Sequence, residues 1–299
     1  MDNLEDIMHF SSGIVRPPYE AWSTFLQVTS GCSHNKCRFC TFYKDAAFRV
    51  SPEEEIREDL AELRDFGAIP ERIFLQGADP FLLSFNRLMH IAELIKEYLP
   101  SVQSIGGYGR VDSLKNKTVE QLQQLKQAGY DLIVFGIESG DDIVLDRMDK
   151  GYHGKDIVEQ LSKMTQAGMR YSVIFLGGLG GHGYGLDHAR KTADVLNQLT
   201  PTRVLASGLT LFPDTPLMEE VRDGRFTEAS EAEKIEELME FVKCLEISTI
   251  LDASNVSNLA PVFGHLPQDK QKILSALQSV LDRQGEEQLR YRRTHLRSL

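Results

Sequence analysis

Cysteine is scarce in this chain, at four residues in 299. A long apolar run is missing altogether: no stretch of about 18 apolar residues occurs, so no membrane-spanning helix is expected. The N-terminus, MDNLEDIMHF, is acidic and has no basic stretch ahead of an apolar one, so it does not read as a signal peptide. A cytoplasmic location is the expectation. Positive charge is also in deficit, with 33 Lys and Arg against 44 Asp and Glu and a formal net charge of −11. That argues against a broad polyanion-binding face, so nucleic acid is not an expected partner. The basic tail RYRRTHLRSL is the exception, read as a solvated chain end, with a local phosphate or RNA contact as the other reading. The 41% apolar and 26% charged content is that of an ordinary globular protein.

What is present is an alternation. Short β-rich runs at 24–29, 72–76, 102–106, 132–137, 171–176 and 203–209 are separated by amphipathic stretches of helical period. The first helix is expected to open at Ser51-Pro52-Glu53-Glu54, with Ser as cap and Pro at the first position. Thr118 with Gln121 forms the same kind of start, and Gly129 the stop. Further helices are expected near 85–98, 154–167 and 186–199. Six strand–helix units predict a parallel sheet with helices outside it, too few for a closed eight-fold barrel. The expected fold class is therefore α/β: an open (βα)6 partial TIM barrel with a C-terminal helical extension. After Pro213 an acidic helix near 228–246, a loop ISTILDASNVSNLAPVFGHLP and a last helix near 268–283 make up that extension. The implied division is an N-terminal segment 1–21, a core 22–220, and an extension 221–299 packed on the core.

Three of the four cysteines, Cys32, Cys37 and Cys40, fall within nine residues directly after the first strand. Functional loops follow strand C-termini in such folds. Three thiols in a reducing compartment do not suggest disulfides. A closed zinc site wants four ligands, and His34 would be the fourth, but it stands only two residues from Cys32. A 4Fe–4S cluster with three thiolates leaves one iron open, the mark of a catalytic centre. Cys244, at apolar spacing in the acidic helix, is read as core, so no auxiliary cluster is expected.

With these residues the sequence resembles the radical S-adenosylmethionine (radical SAM) superfamily over 22–220. The usual family spacing is three residues then two, with an aromatic before the last cysteine. Here Phe39 holds the aromatic position, while the first gap is four. The resemblance implies further ligand residues. After the second strand, Gly77, Ala78 and Asp79 would receive the amino group of S-adenosylmethionine. After the fourth, in GIESGDDIVLDRMDKG, Glu138 would bond ribose hydroxyls, Ser139 follows it, and Lys150 would pair the methionyl carboxylate, with Arg147 as the alternative. Ile174, Leu176 and Gly177, opening the glycine-rich FLGGLGGHGYG, would contact adenine. That loop lacks the Gly-Lys-Ser/Thr ending of a P-loop. Tyr108 and Arg110 are offered after the third strand, Arg110 as a cofactor contact.

Several residues carry a plainer reading. His182 and His188 read as loop or surface histidines, with a substrate role for His182 as the minority reading. Phe42, Phe74 and Ile133 would shield a radical or serve as ordinary core. Asn255, Asn258 and His265, in the 252–270 loop, are either substrate contacts or part of a self-bonded crossover. The resemblance implies a 4Fe–4S cluster and S-adenosylmethionine as cofactors, and a 5′-deoxyadenosyl radical acting on an unidentified substrate. An electron donor such as flavodoxin or ferredoxin is the implied partner. The chain looks related in its core to coproporphyrinogen dehydrogenases. Two other classes stay open: a non-catalytic iron–sulfur or zinc protein or sensor, and an activase acting on a partner protein.

Overall fold

The expected alternation appears as mostly parallel strands joined by helices, in a computed structural model that describes residues 8–11 and 13–295. The chain divides into two compact units. One comprises residues up to 35, 42–135 and 162–171; the other comprises 36–41, 136–161 and everything from 172 on.

In the first unit β1 (Thr24–Gln27) is followed by a two-residue antiparallel pair, β2 (Thr29–Ser30) and β3 (Arg49–Val50). Strand β1 lies parallel to β4 (Arg72–Gln76), and β4 parallel to β5 (Ser104–Gly109). Tyr108 and Gly109 then pair with Val134 and Phe135 at the start of β6 (Ile133–Glu138). Helices α1 (Glu53–Asp65), α2 (Phe85–Tyr98) and α3 (Val119–Gln127) connect these strands. Their apolar stripes, with Leu60, Leu63, Leu88 and Ile91, are fully buried, as are Ile73 and Leu75 of β4. The Thr118–Gln121 capping box forms as expected, and Gly129, at φ +107°, turns the chain out of α3. The expected Ser51 cap does not form: Pro52 takes the N-cap position without a side-chain bond, because Ser51 is buried. The expected 24–29 strand breaks at Val28.

Arg72, at the start of β4, makes the widest polar tie in this unit. Its guanidinium meets Glu20 at 2.7 Å, bonds Ser104 on β5, and reaches the Asp131 carbonyl at the approach to β6. Glu20 is 2% exposed.

In the second unit β6 ends, and β7 (Tyr171–Gly177), β8 (Arg203–Gly208) and β9 (Thr249–Ala253) run parallel, with β10 (Val262–Leu266) antiparallel to β9. The helices are α4 (Asp142–Arg147), α5 (Gly154–Gln166, which runs on into the first unit), α6 (Gly185–Leu196), α7 (Pro216–Arg222), α8 (Glu231–Cys244), α9 (Lys270–Arg283) and α10 (Glu286–Thr294). Strands β9 and β10 correct the expectation of a loop over 247–267. The pattern hides β9 because TILDA carries a charge at its fourth residue, and that charge is met by the neighbouring strand: Asp252 pairs with Arg203 of β8 at 2.7 Å. The extension is thus helical with two strands.

The basic tail is corrected as well. Rather than a solvated end, 286–294 is helix α10, bound through Arg290 and Arg293 to Glu228 and Glu231; residues 296–299 lie outside the described ones. Cys244, read as core, stands half-buried at the last position of α8. No described helix is long and apolar enough to cross a membrane.

Removing one partner of a buried ion pair leaves the other charge uncompensated. Glu20→Ala should therefore cost about 3 kcal/mol of stability in urea unfolding. Glu20→Gln should cost less, since it still accepts from Arg72.

Candidate functional site

In the first unit three loops at strand ends are fastened together. Gly31, at φ +66°, follows β2; a Cβ there would lie 2.6 Å from the Ala47 carbonyl. Cys32 comes next, and its Sγ accepts the Asn35 N–H at 3.3 Å across a turn that Asn35 closes at φ +48°. After β4, Gly77 takes φ +118°, and a Cβ would meet Thr29 at 2.0 Å from Oγ1 and 2.6 Å from the carbonyl oxygen. Only glycine fits there. Ala78, partly exposed, donates its N–H to the Gly31 carbonyl at 3.3 Å.

Asp79 is placed inside these loops. Its carboxylate is completely buried and accepts from the Arg110 N–H at 3.0 Å, the Ser113 hydroxyl at 2.6 Å and the Ser33 hydroxyl at 3.0 Å. It ties the loops after β2, β4 and β5. Burial pushes its pKa up to about 6 despite these donors. Lys117, held by the Phe81 and Ser113 carbonyls, is pushed down to about 8 by the same burial, with the Asp79 charge opposing that shift. The Arg110 guanidinium is turned to Asp112 at 3.0 Å and is 7% exposed, so it too serves the loop. Tyr108 packs edge-on to buried Phe74. Ile133 is buried core, whereas Phe42 is exposed.

The second unit carries Cys37, Phe39 and Cys40. The Cys40 N–H turns back to the Cys37 carbonyl at 3.4 Å. Arg38 anchors the segment: its N–H donates to the Met148 carbonyl, its carbonyl accepts from Leu217, and its guanidinium pairs with Glu220 at 2.7 Å. Phe39 and Leu176 pack against a buried cluster of Val144, Met148, Leu179, Leu209, Leu217 and Phe226.

Next to Phe39 stands Lys150, whose ammonium lies 5.9 Å from the ring centroid. Lys150 is 5% exposed, donates to the Gly136 carbonyl at 2.9 Å and lies 3.7 Å from the Glu138 carboxylate. A buried charge near a counter-charge is unlike the solvated lysine usual at a protein surface. Glu138 ends β6 at φ +63°, folded back so that a Cβ on Gly136 would stand 2.6 Å from its Oε1. Tyr152, which no sequence signal pointed to, donates to the same Gly136 carbonyl at 2.7 Å.

Arg147 is not an alternative to Lys150: it pairs with Glu220, donates to the Arg225 carbonyl and lies over Phe226. Ser139 is fully buried and accepts the Asp141 N–H at 2.9 Å, a contact that closes the turn after β6. Along β7, Val173 and Phe175 are buried while Ile174 and Leu176 on the other face stay partly exposed; Gly177 ends the strand buried.

The histidines divide. His182 is exposed and pairs with Glu233, whereas His188, read as a surface residue, is fully buried on α6 against Glu237. Asn255 and Asn258 both donate to the Ala206 carbonyl, the bonding expected of a crossover; His265 lies exposed on β10.

None of the four cysteines is in a disulfide. Among the described residues no group of three His, Cys, Asp or Glu side chains converges to hold a metal ion. A single zinc needs its thiolates about 2.3 Å from one point, whereas a cube-shaped cluster takes each thiolate on a different iron. Cys32, Cys37 and Cys40 are free thiols, the donor type that an iron–sulfur cluster takes.

A model of the radical SAM superfamily matches residues 26–196, more than half of the chain. The chain belongs to the radical SAM superfamily. It is 24% identical over 189 residues to the heme chaperone HemW of Buchnera aphidicola, covering 60% of this chain and 49% of that one. HemW of Bacillus subtilis is 23% identical over 171 residues, covering 56% and 45%. The chain spans about half the length of the curated relatives it matches. Among solved structures, methylornithine synthase (PylB) aligns with a TM-score of 0.53 at 18% identity, covering 85% of this chain and 68% of that one. Coproporphyrinogen III oxidase (HemN) of Escherichia coli aligns at 0.54 with 15% identity, covering 74% and 51%. These likenesses show the radical SAM fold, mostly parallel strands and helices in the manner of a partial TIM barrel. Radical SAM proteins use a 4Fe–4S cluster and S-adenosylmethionine.

Asp79 sets a pH signature. Its folded pKa lies above the unfolded value of 3.8, so its stabilising contribution is full below about pH 4 and is lost as pH rises through about 6. Between pH 4.5 and 7.5 wild type should lose on the order of 2 kcal/mol relative to Asp79→Asn, whose stability does not depend on this proton. Paired urea titrations at pH 4.5 and 7.5 check it; a constant difference would rule the assignment out.

Proposed function

We propose that the protein is a radical SAM enzyme in which Cys32, Cys37 and Cys40 hold a 4Fe–4S cluster whose fourth iron takes S-adenosylmethionine. The observation that carries this reading is the family match over 26–196, which encloses all three thiols and every residue assigned below. When bound, the cluster and cosubstrate supply reductive sulfonium cleavage and a 5′-deoxyadenosyl radical for hydrogen abstraction.

The chain's own residues bind and orient. Lys150 offers a desolvated positive charge to the methionyl carboxylate, strengthened by its burial. Glu138, at the strand tip, accepts ribose hydroxyls. With the Asp79 carboxylate already committed, the backbone of Gly77 and Ala78 receives the amino group. Phe39 backs the thiolate segment, and Ile174 and Leu176, partly exposed on one face of β7, give adenine an apolar surface beside Gly177. Ser139 and Arg110 serve this site through the turns they close. A small acidic electron carrier such as flavodoxin or ferredoxin supplies the electron. The substrate has no assignment; the curated relatives are named for haem, so haem binding is the first ligand to test.

The test is anaerobic reconstitution with iron and sulfide, followed by EPR of the reduced protein with and without S-adenosylmethionine. A reduced cluster signal that shifts on adding S-adenosylmethionine is expected, lost in Cys40→Ser and kept in Cys244→Ser. A cluster indifferent to S-adenosylmethionine would instead favour a sensor or carrier. Lys150→Met should weaken S-adenosylmethionine binding roughly tenfold or more, the scale of a lost charge-assisted bond.

A further inference from the structure

Helix α8 lies beyond the stretch that matches the family, yet two of its carboxylates, one helical turn apart, hold the glycine-rich turn after β7. Each makes the same pair of bonds. Glu237 accepts the Gly178 N–H at 2.7 Å through one oxygen and meets His188 Nδ1 at 2.5 Å through the other. Glu233 accepts the Gly183 N–H at 2.9 Å and meets His182 Nδ1 at 2.9 Å. The inner pair is wholly buried; in the outer pair His182 is exposed. His188 Nε2 is buried without a hydrogen-bond partner, its ring 5.3 Å from that of Phe175. The ring is thus engaged on its Nδ1 side alone, by Glu237.

The held segment is unusually free by composition. Gly177, Gly178, Gly180, Gly181, Gly183 and Gly185 leave it with little intrinsic preference, and Gly178, Gly181 and Gly183 adopt positive φ. Glycine loses more conformational freedom on ordering than any other residue. A ligand that had to order this turn itself would bind correspondingly less tightly.

Resting on the radical SAM reading, we propose that Glu233 and Glu237 are positioning residues that pre-order the turn 178–184 for the adenosyl part of S-adenosylmethionine. The C-terminal extension thereby completes the cofactor site of the core. A pre-ordering role changes binding rather than the bond-breaking step, so its loss raises KM and leaves kcat near its original value.

The variants are Glu233→Ala, Glu237→Leu and Glu237→Gln. Amide hydrogen exchange at Gly178 and Gly183 is read without cofactor. On the reconstituted protein, S-adenosylmethionine affinity is read by EPR titration, with KM and kcat from its reductive cleavage. Glu233→Ala should speed exchange at Gly183 and weaken S-adenosylmethionine about tenfold, with kcat within about twofold, matching one lost bond to a charged acceptor. Glu237→Gln keeps an acceptor for the Gly178 N–H and should restore most of the affinity that Glu237→Leu loses. Should Glu237→Leu fail to fold, the more exposed Glu233 site decides. Faster exchange with unchanged affinity would make the clamps purely structural and overturn the inference. Wild type that shows no S-adenosylmethionine effect would overturn the underlying reading, and this one with it, from the wild-type trace alone.

Discussion

A parallel sheet leaves the backbone amides of its connecting loops without ladder partners, and a buried amide without an acceptor is costly. This protein meets that constraint with carboxylates. Asp79 takes the Arg110 amide, Glu237 the Gly178 amide, Glu233 the Gly183 amide and Asp142 the Gly154 amide. Glu286 takes two at once, the Glu231 and Ala232 amides at the start of α8. The acidic balance of the chain is thus partly an internal matter. Several of its negative charges are spent on loop geometry rather than displayed to a partner.

The same constraint explains why burial and chemistry diverge at the site. Asp79 and Lys150 are both charged groups hidden from water near strand ends. Asp79 is saturated by donors from neighbouring loops, and burial drives it toward its neutral form. Lys150 lies against a carbonyl, a carboxylate and the rings of Phe39 and Tyr152, an arrangement that keeps a charge in a place where it is worth more than in solvent.

Much of this was legible in the sequence because the signals were local. Strand–helix alternation and the Thr118 capping box operate within a few residues and reappear in the fold, and the equally local cluster of three cysteines pointed to the superfamily whose model matches 26–196. The misreadings share the opposite cause. His188 looks like a surface histidine until Glu237, 49 residues on, meets it. Asp252 disguises β9 as loop until Arg203 is seen across the sheet. Arg290 and Arg293 read as a solvated tail because Glu228 and Glu231 lie some sixty residues earlier in the chain. Asp79 sits where the resemblance wants a ligand carboxylate, and only the positions of Ser33, Arg110 and Ser113 reveal that it is already engaged.

The capping of α8 by Glu286 has a consequence for modularity. The stretch recognised by family ends at residue 196, but the turn it contains is gripped by α8, and the start of α8 is gripped in turn by α10. Sequence kinship and mechanical integrity therefore end at different places. A chimera that exchanged the extension at the edge of the recognisable core would inherit the glycine-rich turn without the two carboxylates that hold it, and would have to import α8 and α10 together to regain them.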